Sequence, residues 1–295
     1  MRKKQTFFLG ILAIAILFLL VSLASERQKE KKMEELARYL DEEEVAFAIA
    51  NGIFLEDIQE YLEYEKFNIY YFRSYKRLKE DYRLSALGAI NLFHNPDFFA
   101  FYKDPKPALF LETPLVLVNK CHYLEMDYVP KDLVLIDHYE LPHYDRSGDE
   151  IYLKREAMEN LKRMFEEAKA EKLSLVVYSG YRSYKKQEYL YYEVYNQDDS
   201  LSARPGFSEH QTGYAVDLST ASAGLTHYFE NTDEFKWLLE NAHRFGFILR
   251  FPKGKEWATG YAYEPWHFRY VGRHAEAMKL QGWTLEEYIL ANFEL

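Results

Sequence analysis

Two short segments, far apart in the chain, limit what it can fold into. One is Ser208-Glu209-His210-Gln211-Thr212-Gly213-Tyr214-Ala215-Val216-Asp217; the other is Glu264-Pro265-Trp266-His267. Between them they hold two imidazoles and several carboxylates. If His210, Asp217 and His267 bind one metal ion, the fold must bring the two segments side by side in its interior. His210 and Asp217 lie seven positions apart with Gly213 between them. That spacing suits a loop turning into a strand, not an i, i+4 pair on a helix.

Zinc in a hydrolase takes three protein ligands and keeps a fourth position for water. His210, Asp217 and His267 offer two neutral imidazoles and one carboxylate for that purpose. Glu264, three residues before His267, is the candidate general base: such a group takes a proton from the attacking water and returns it to the leaving amine. A salt bridge to Arg269 is the competing reading of Glu264. Upstream, the apolar run Leu173–Ser179 reads as a buried strand that delivers Gly180-Tyr181-Arg182-Ser183 at its end. Arg182 is a candidate clamp for an oxyanion, or else an ordinary ion pair at a strand end.

The rest of the chain sets the context. Residues 2–4 are Arg-Lys-Lys, and Phe7–Ala24 is an eighteen-residue apolar run broken only by Ser22. This length is near the lower limit for a membrane-spanning helix. Positive charge on its N-terminal side predicts a cytoplasmic N-terminus and an exported remainder. Ser22-Leu23-Ala24 also resembles a signal-peptide cleavage site, so a secreted form is the alternative. Beyond residue 25 there are 34 basic against 47 acidic side chains. Such an acidic surface disfavours nucleic acid as a partner. One cysteine, Cys121, excludes an internal disulfide.

The pattern divides the chain into an N-terminal membrane segment (1–25), a helical stalk and small helical module (26–110) and a larger domain (111–295). Residues 26–44 are rich in Glu, Lys and Arg and predict a solvated helix. Breaks are expected at Asn51-Gly52, near Phe67-Asn68 and at Asn95-Pro96-Asp97. In the larger domain, strands are expected at Leu115–Asn119, 173–179 and Ala215–Leu218. Helices are expected over 151–171, from Tyr184 to about Tyr195, from Thr232 to Gly246, and after a Thr284–Glu287 capping box. Helices and strands do not alternate regularly, which favours an α+β fold over a doubly wound sheet.

Three segments carry a family resemblance. Ser179-Gly180-Tyr181-Arg182-Ser183, Arg204-Pro205-Gly206-Phe207-Ser208-Glu209-His210-Gln211-Thr212-Gly213 with Asp217, and Glu264-Pro265-Trp266-His267-Phe268-Arg269-Tyr270-Val271-Gly272 resemble the VanY/LdcB family. Its members are zinc D-alanyl-D-alanine or L,D-carboxypeptidases that trim peptidoglycan stem peptides. The resemblance runs from about Leu115 to Leu295. It implies one catalytic Zn²⁺ held by His210, Asp217 and His267, with Glu264 as base and Arg182 stabilising the tetrahedral intermediate. It further implies that Gln187 and Ser208 line the substrate pocket near the terminal residue and its carboxylate. The implied fold is a small antiparallel sheet flanked by helices, of the DD-peptidase/hedgehog type. The expectation is then a membrane-anchored enzyme outside the cell, removing the terminal D-alanine of D-alanyl-D-alanine stems. An L,D-carboxypeptidase acting on tetrapeptide stems is the alternative. A peptidoglycan endopeptidase or amidase, and a wall-binding protein with a structural metal, are more distant ones. A structural zinc is normally closed by four protein ligands, and three are evident here.

Overall fold

The computed structural model describes residues 26–144 and 150–293. The expected membrane segment, residues 1–25, lies outside the described residues. Among the described residues no helix is long and apolar enough to cross a membrane. The chain forms two compact units that divide between Phe93 and His94.

In the first unit residues 26–36 are helical, and a turn follows. Helix α1, Glu42–Ala50, starts at a capping box in which Asp41 accepts from the Glu44 N–H and Glu44 accepts from the Asp41 N–H. The break at Asn51-Gly52 occurs as expected. Helix α2, Phe72–Tyr82, presents Phe72 and Tyr75 to the interior. There Tyr61 meets the Phe72 ring edge-on at 5.6 Å and stacks with Tyr75 at 6.2 Å. Helix α3, Ala86–His94, ends before Asn95-Pro96, because the residue before a proline is disfavoured in the α region.

The second unit is α+β. A two-stranded antiparallel ribbon pairs β1, Leu133–Leu135, with β2, Tyr152–Lys154. Helix α4, Arg155–Ala170, follows β2 directly. The helix expected over 151–171 therefore begins four residues late, because Leu153 is taken up by pairing with Val134. The buried positions of α4 are Ala157, Met158, Leu161, Met164, Phe165 and Ala168, the three- and four-residue spacing of an apolar stripe. That stripe packs on the main sheet, whose strands are β3 (Val176–Ser179), β4 (Ala215–Ser219), β5 (Phe247–Leu249) and β6 (His267–Tyr270). The order is β3-β4-β6-β5, and all pairings are antiparallel.

Period-two alternation assigns the two faces of the central strands. Val216 and Leu218 of β4, with Phe268 and Tyr270 of β6, enter the core under α4. Asp217, His267 and Arg269 therefore point to the other face. On that face Ile248, Leu115, Leu117, Val271 and Ile289 build a second core with the C-terminal helices. The last of these, α5 (Leu285–Asn292), starts at the expected Thr284–Glu287 capping box.

Two further expectations change. Leu115–Asn119 is buried but forms only isolated bridges, Leu109 to Leu117 and Asn119 to His122, instead of a strand. The Pro114 and Val116 carbonyls accept from the Arg269 guanidinium, at 3.0 and 2.8 Å, which takes them out of any ladder. The tyrosine-rich helix also changes register. It is α-helical over Tyr184–Tyr189 and then π-helical over Leu190–Val194.

His122 is 5% exposed and packs beside the Phe98 ring. Burial, only partly offset by Glu286, lowers its pKa from 6.5 to about 4. Between these values the unfolded chain binds more protons than the folded one, so stability falls as pH drops. The expected loss is up to about 3 kcal/mol between pH 6.5 and 4. Urea unfolding at pH 7 and pH 5 checks this, and His122→Gln should flatten the dependence.

Candidate active site

The register of β4 and β6 pairs Asp217 with His267. Ser179 at the end of β3 pairs with Asp217 from the other side. His210 arrives from the 3₁₀ turn Glu209–Thr212, which precedes β4. Gly213 ends this turn at φ 72°, a left-handed conformation that favours glycine. The three side chains the sequence nominates are thus brought together and buried. Each offers a ligand atom within 4.8 Å of the other two.

The surroundings orient each ligand. His210 Nδ1 lies 2.7 Å from the Gly180 carbonyl oxygen. A proton on Nδ1 leaves the Nε2 lone pair towards Asp217 Oδ2, at 3.3 Å. Gly180 itself packs on the backbone of β2 where no side chain fits: a Cβ there would lie 2.4 Å from the Tyr152 carbonyl oxygen. His267 Nδ1 lies 3.2 Å from Asp217 Oδ1 and 3.7 Å from Glu264 Oε2. Its other nitrogen, Nε2, faces Glu209 Oε2 at 3.5 Å. A ligand imidazole whose second nitrogen meets a carbonyl or carboxylate is the usual arrangement around a protein-bound metal.

The charges of these buried groups depend on one another. Burial opposes ionisation of Asp217, but the two imidazoles overcome it and hold its carboxyl well below the usual range. Burial also works against charge on His267, yet Asp217 and Glu209 raise its pKa to about 9. Glu264 is pushed up to about 7, chiefly by burial. Asp217 Oδ1 is buried without a hydrogen bond. Two imidazole nitrogens and a carboxylate converging on one point, one of its oxygens unsatisfied, fit a zinc ion with an open fourth position.

Arg182 and Gln187 also come together. Arg182 Nη1 donates to Gln187 Oε1 at 2.7 Å, and Nη2 donates to Ser179 Oγ at 3.3 Å. The Gln187 amide donates to Ser202 Oγ and the Ala203 carbonyl, at 2.9 and 2.6 Å. Ser208 is buried, and its side chain does not cap the 3₁₀ turn. Arg182, Gln187, Ser208 and Glu264 all line one cleft of about 240 Å³ with the three ligands.

Sequence reasoning missed Glu209, although it sits inside the quoted motif. Its Oε1 accepts from Arg250 Nε and Arg269 Nη1, both at 2.7 Å. Arg250 also donates to both oxygens of Glu286, at 2.9 and 2.6 Å. All four residues are at most 3% exposed. Arg269 therefore belongs to Glu209, and the alternative pairing of Glu264 with Arg269 does not occur. An arginine following the apolar strand Phe247–Leu249 was the available signal for a buried ion pair.

The sequence profile of the VanY family, described as D-alanyl-D-alanine carboxypeptidase, matches residues 150–273. YodJ of Bacillus subtilis is 42% identical over 185 residues, which is 60% of this chain and 67% of that protein. The bifunctional D-Ala-D-Ala dipeptidase and D-Ala-D-Ala carboxypeptidase VanXYC of Enterococcus gallinarum is 34% identical over 185 residues, covering 59% of this chain and 92% of that protein. This chain belongs to the VanY family. The solved structure of the LdcB LD-carboxypeptidase is 38% identical with a TM-score of 0.56, and covers 66% of this chain and 97% of that one. Every residue lining the cleft, from Ser179 to His267, lies within the stretch that the family profile matches.

Removing Glu209 while keeping its partners would leave Arg250 and Arg269 short of a buried counter-charge. Glu209→Ala should destabilise the protein by about 3–5 kcal/mol, the range for breaking a buried pair from one side. Chemical denaturation of the variant against wild type measures this.

Proposed function

We propose that this protein is a zinc metallocarboxypeptidase that removes the C-terminal D-alanine from peptidoglycan stem peptides. The observation that carries the reading is the buried convergence of His210, Asp217 and His267 beside Glu264, at the floor of the cleft. Family membership supports the reaction class. Zinc held by the three ligands would supply a Lewis acid for the scissile carbonyl and acidify water. Glu264 accepts the proton of the attacking water and passes it to the leaving amine. Arg182, held by Gln187 and Ser179, faces the same cleft and stabilises negative charge on the carbonyl oxygen. Ser208 and Gln187, which line the cleft, would meet the terminal residue and its carboxylate. The buried walls keep these groups fixed, so little reorganisation accompanies the reaction.

The reading includes a location. Arg2-Lys3-Lys4 followed by Phe7–Ala24 supports a single-pass anchor in the cytoplasmic membrane, with the catalytic domain outside the cell, where stem peptides are found. Secretion after cleavage near Ala24 is the alternative. The 26–110 region would serve as spacer between membrane and enzyme.

The same groups serve two bonds, D-alanyl-D-alanine and the L,D bond to a single D-alanine. The first follows the activity named for VanXYC. The second is favoured by the likeness to the LdcB LD-carboxypeptidase.

Two measurements test the proposal. Incubation with pentapeptide stems should release D-alanine, and a chelator should abolish the release until Zn²⁺ is restored. Glu264→Ala should lower kcat at least about 100-fold, the usual contribution of a general base, with bound zinc retained; an unchanged rate would sink the mechanism. Mass spectrometry of products from pentapeptide and tetrapeptide stems then separates D,D from L,D cleavage. An internal cut in either peptide would identify an endopeptidase instead.

A further inference from the structure

The tyrosine-rich helix is the sequence feature that the catalytic reading leaves unused. Structure gives it a definite placement. Tyr189, Tyr192 and Tyr195 are 56, 47 and 37% exposed, and Leu201 in the following loop is 62% exposed. Large exposed apolar groups gathered in so short a stretch mark an interaction surface more often than scattered ones do. The stretch borders the catalytic cleft, since Leu190, Tyr195 and Leu201 line it.

Part of this surface is braced from beneath. The buried Tyr191 donates from its hydroxyl to Asp199 Oδ1 at 2.8 Å, and Asp199 is in turn gripped by Arg204. The Tyr191 ring braces Tyr192 edge-on, with centroids 5.2 Å apart. The Tyr195 N–H donates to the Leu190 carbonyl at 2.9 Å across the π turn, which brings these two positions to the cleft together. Asn196 and Gln197 then take left-handed backbone conformations, at φ 50° and 63°. Such conformations are costly for residues other than glycine and persist where surrounding structure enforces them. Single π turns inside helices are frequent at functional sites.

We propose that this rim is a landing surface for the sugar that carries the stem peptide, so that the enzyme favours glycan-linked stems over free peptides. The inference rests on the stem-peptide reading above. A stem of four or five residues, extended, reaches at most roughly 13–18 Å from its C-terminus. With that end at the metal ligands, the sugar end must leave over a rim of the cleft. Tyr195 and Leu201 line the same cleft as the metal ligands, and Tyr189 and Tyr192 stand on the helical turns leading to them. A neutral pyranose offers C–H faces that stack on aromatic rings, and its hydroxyls stay in water. Exposed tyrosines, apolar in body and polar at the tip, suit such a ligand.

The test compares kcat/KM for a disaccharide-linked pentapeptide with that for the free pentapeptide. Wild type should prefer the linked substrate by about fivefold or more, the scale of one or two ring contacts. The double variant Tyr189→Ala/Tyr192→Ala should lose the preference while cleaving the free peptide at the wild-type rate. Tyr192→Phe should keep the preference, because the ring and not the hydroxyl makes the contact. Equal rates for both substrates in wild type, or a variant that slows both equally, would overturn the inference and leave the carboxypeptidase reading standing. No cleavage of either substrate would overturn both.

Discussion

Asp217 and His267 meet because β4 and β6 pair in one register, and a one-residue slip would turn every side chain of a strand to the opposite face. What holds the register is not the site. Val216, Leu218, Phe268 and Tyr270 fill the core beneath α4 on the other face of these strands. Burying each stabilises the fold by about 1.5–3 kcal/mol. Together they outweigh what any single polar contact at the site contributes, about 1 kcal/mol net. Hydrophobic burial on one face thus sets the geometry of the polar chemistry on the other.

The polar face has its own organisation. Glu209, Arg250, Arg269 and Glu286 are removed from water, which costs several kcal/mol per ion. The cost is offset because their charged groups are closely hydrogen-bonded: Arg269 to Glu209 and three carbonyls, Arg250 to two carboxylates, Glu286 to Arg250 and Asn119. Glu209 Oε2 is the exception, with no hydrogen bond and His267 Nε2 as its neighbour. The network therefore fixes a carboxylate behind one nominated ligand and ties the site to α5, through Glu286.

Much of the site was legible because its chemistry is compressed into short segments. His210 and Asp217 flank one turn, and Glu264 and His267 share another, so residue type and spacing were enough to nominate them. Arg182 was legible from its place at the end of an apolar strand. Glu209 was not, because nothing local distinguishes a buried glutamate from a surface one; its role depends on Arg250, Arg269 and Glu286, distant in sequence. The fold shows the same division. Capping boxes at Thr284 and breaks at Asn51-Gly52 and Asn95-Pro96 are local and came through. Leu115–Asn119 did not, since its apolar run reads as a strand until Arg269 claims the carbonyls on either side of Leu115. The π turn at Leu190–Val194 likewise has no signature in composition.

Gln187 illustrates how the cleft connects its parts. The family resemblance places it against the substrate, and it does line the cleft. Yet its carbonyl oxygen accepts from Arg182 while its amide donates to Ser202 and Ala203. Both ends of the side chain are engaged, so a bound peptide would meet a Gln187 already held in place by these partners. One partner is the Arg182 guanidinium, which lines the cleft. The others belong to the loop that follows the tyrosine rim, next to Leu201. A single buried amide thus links the group that would stabilise charge to the wall along which the rest of the substrate would extend.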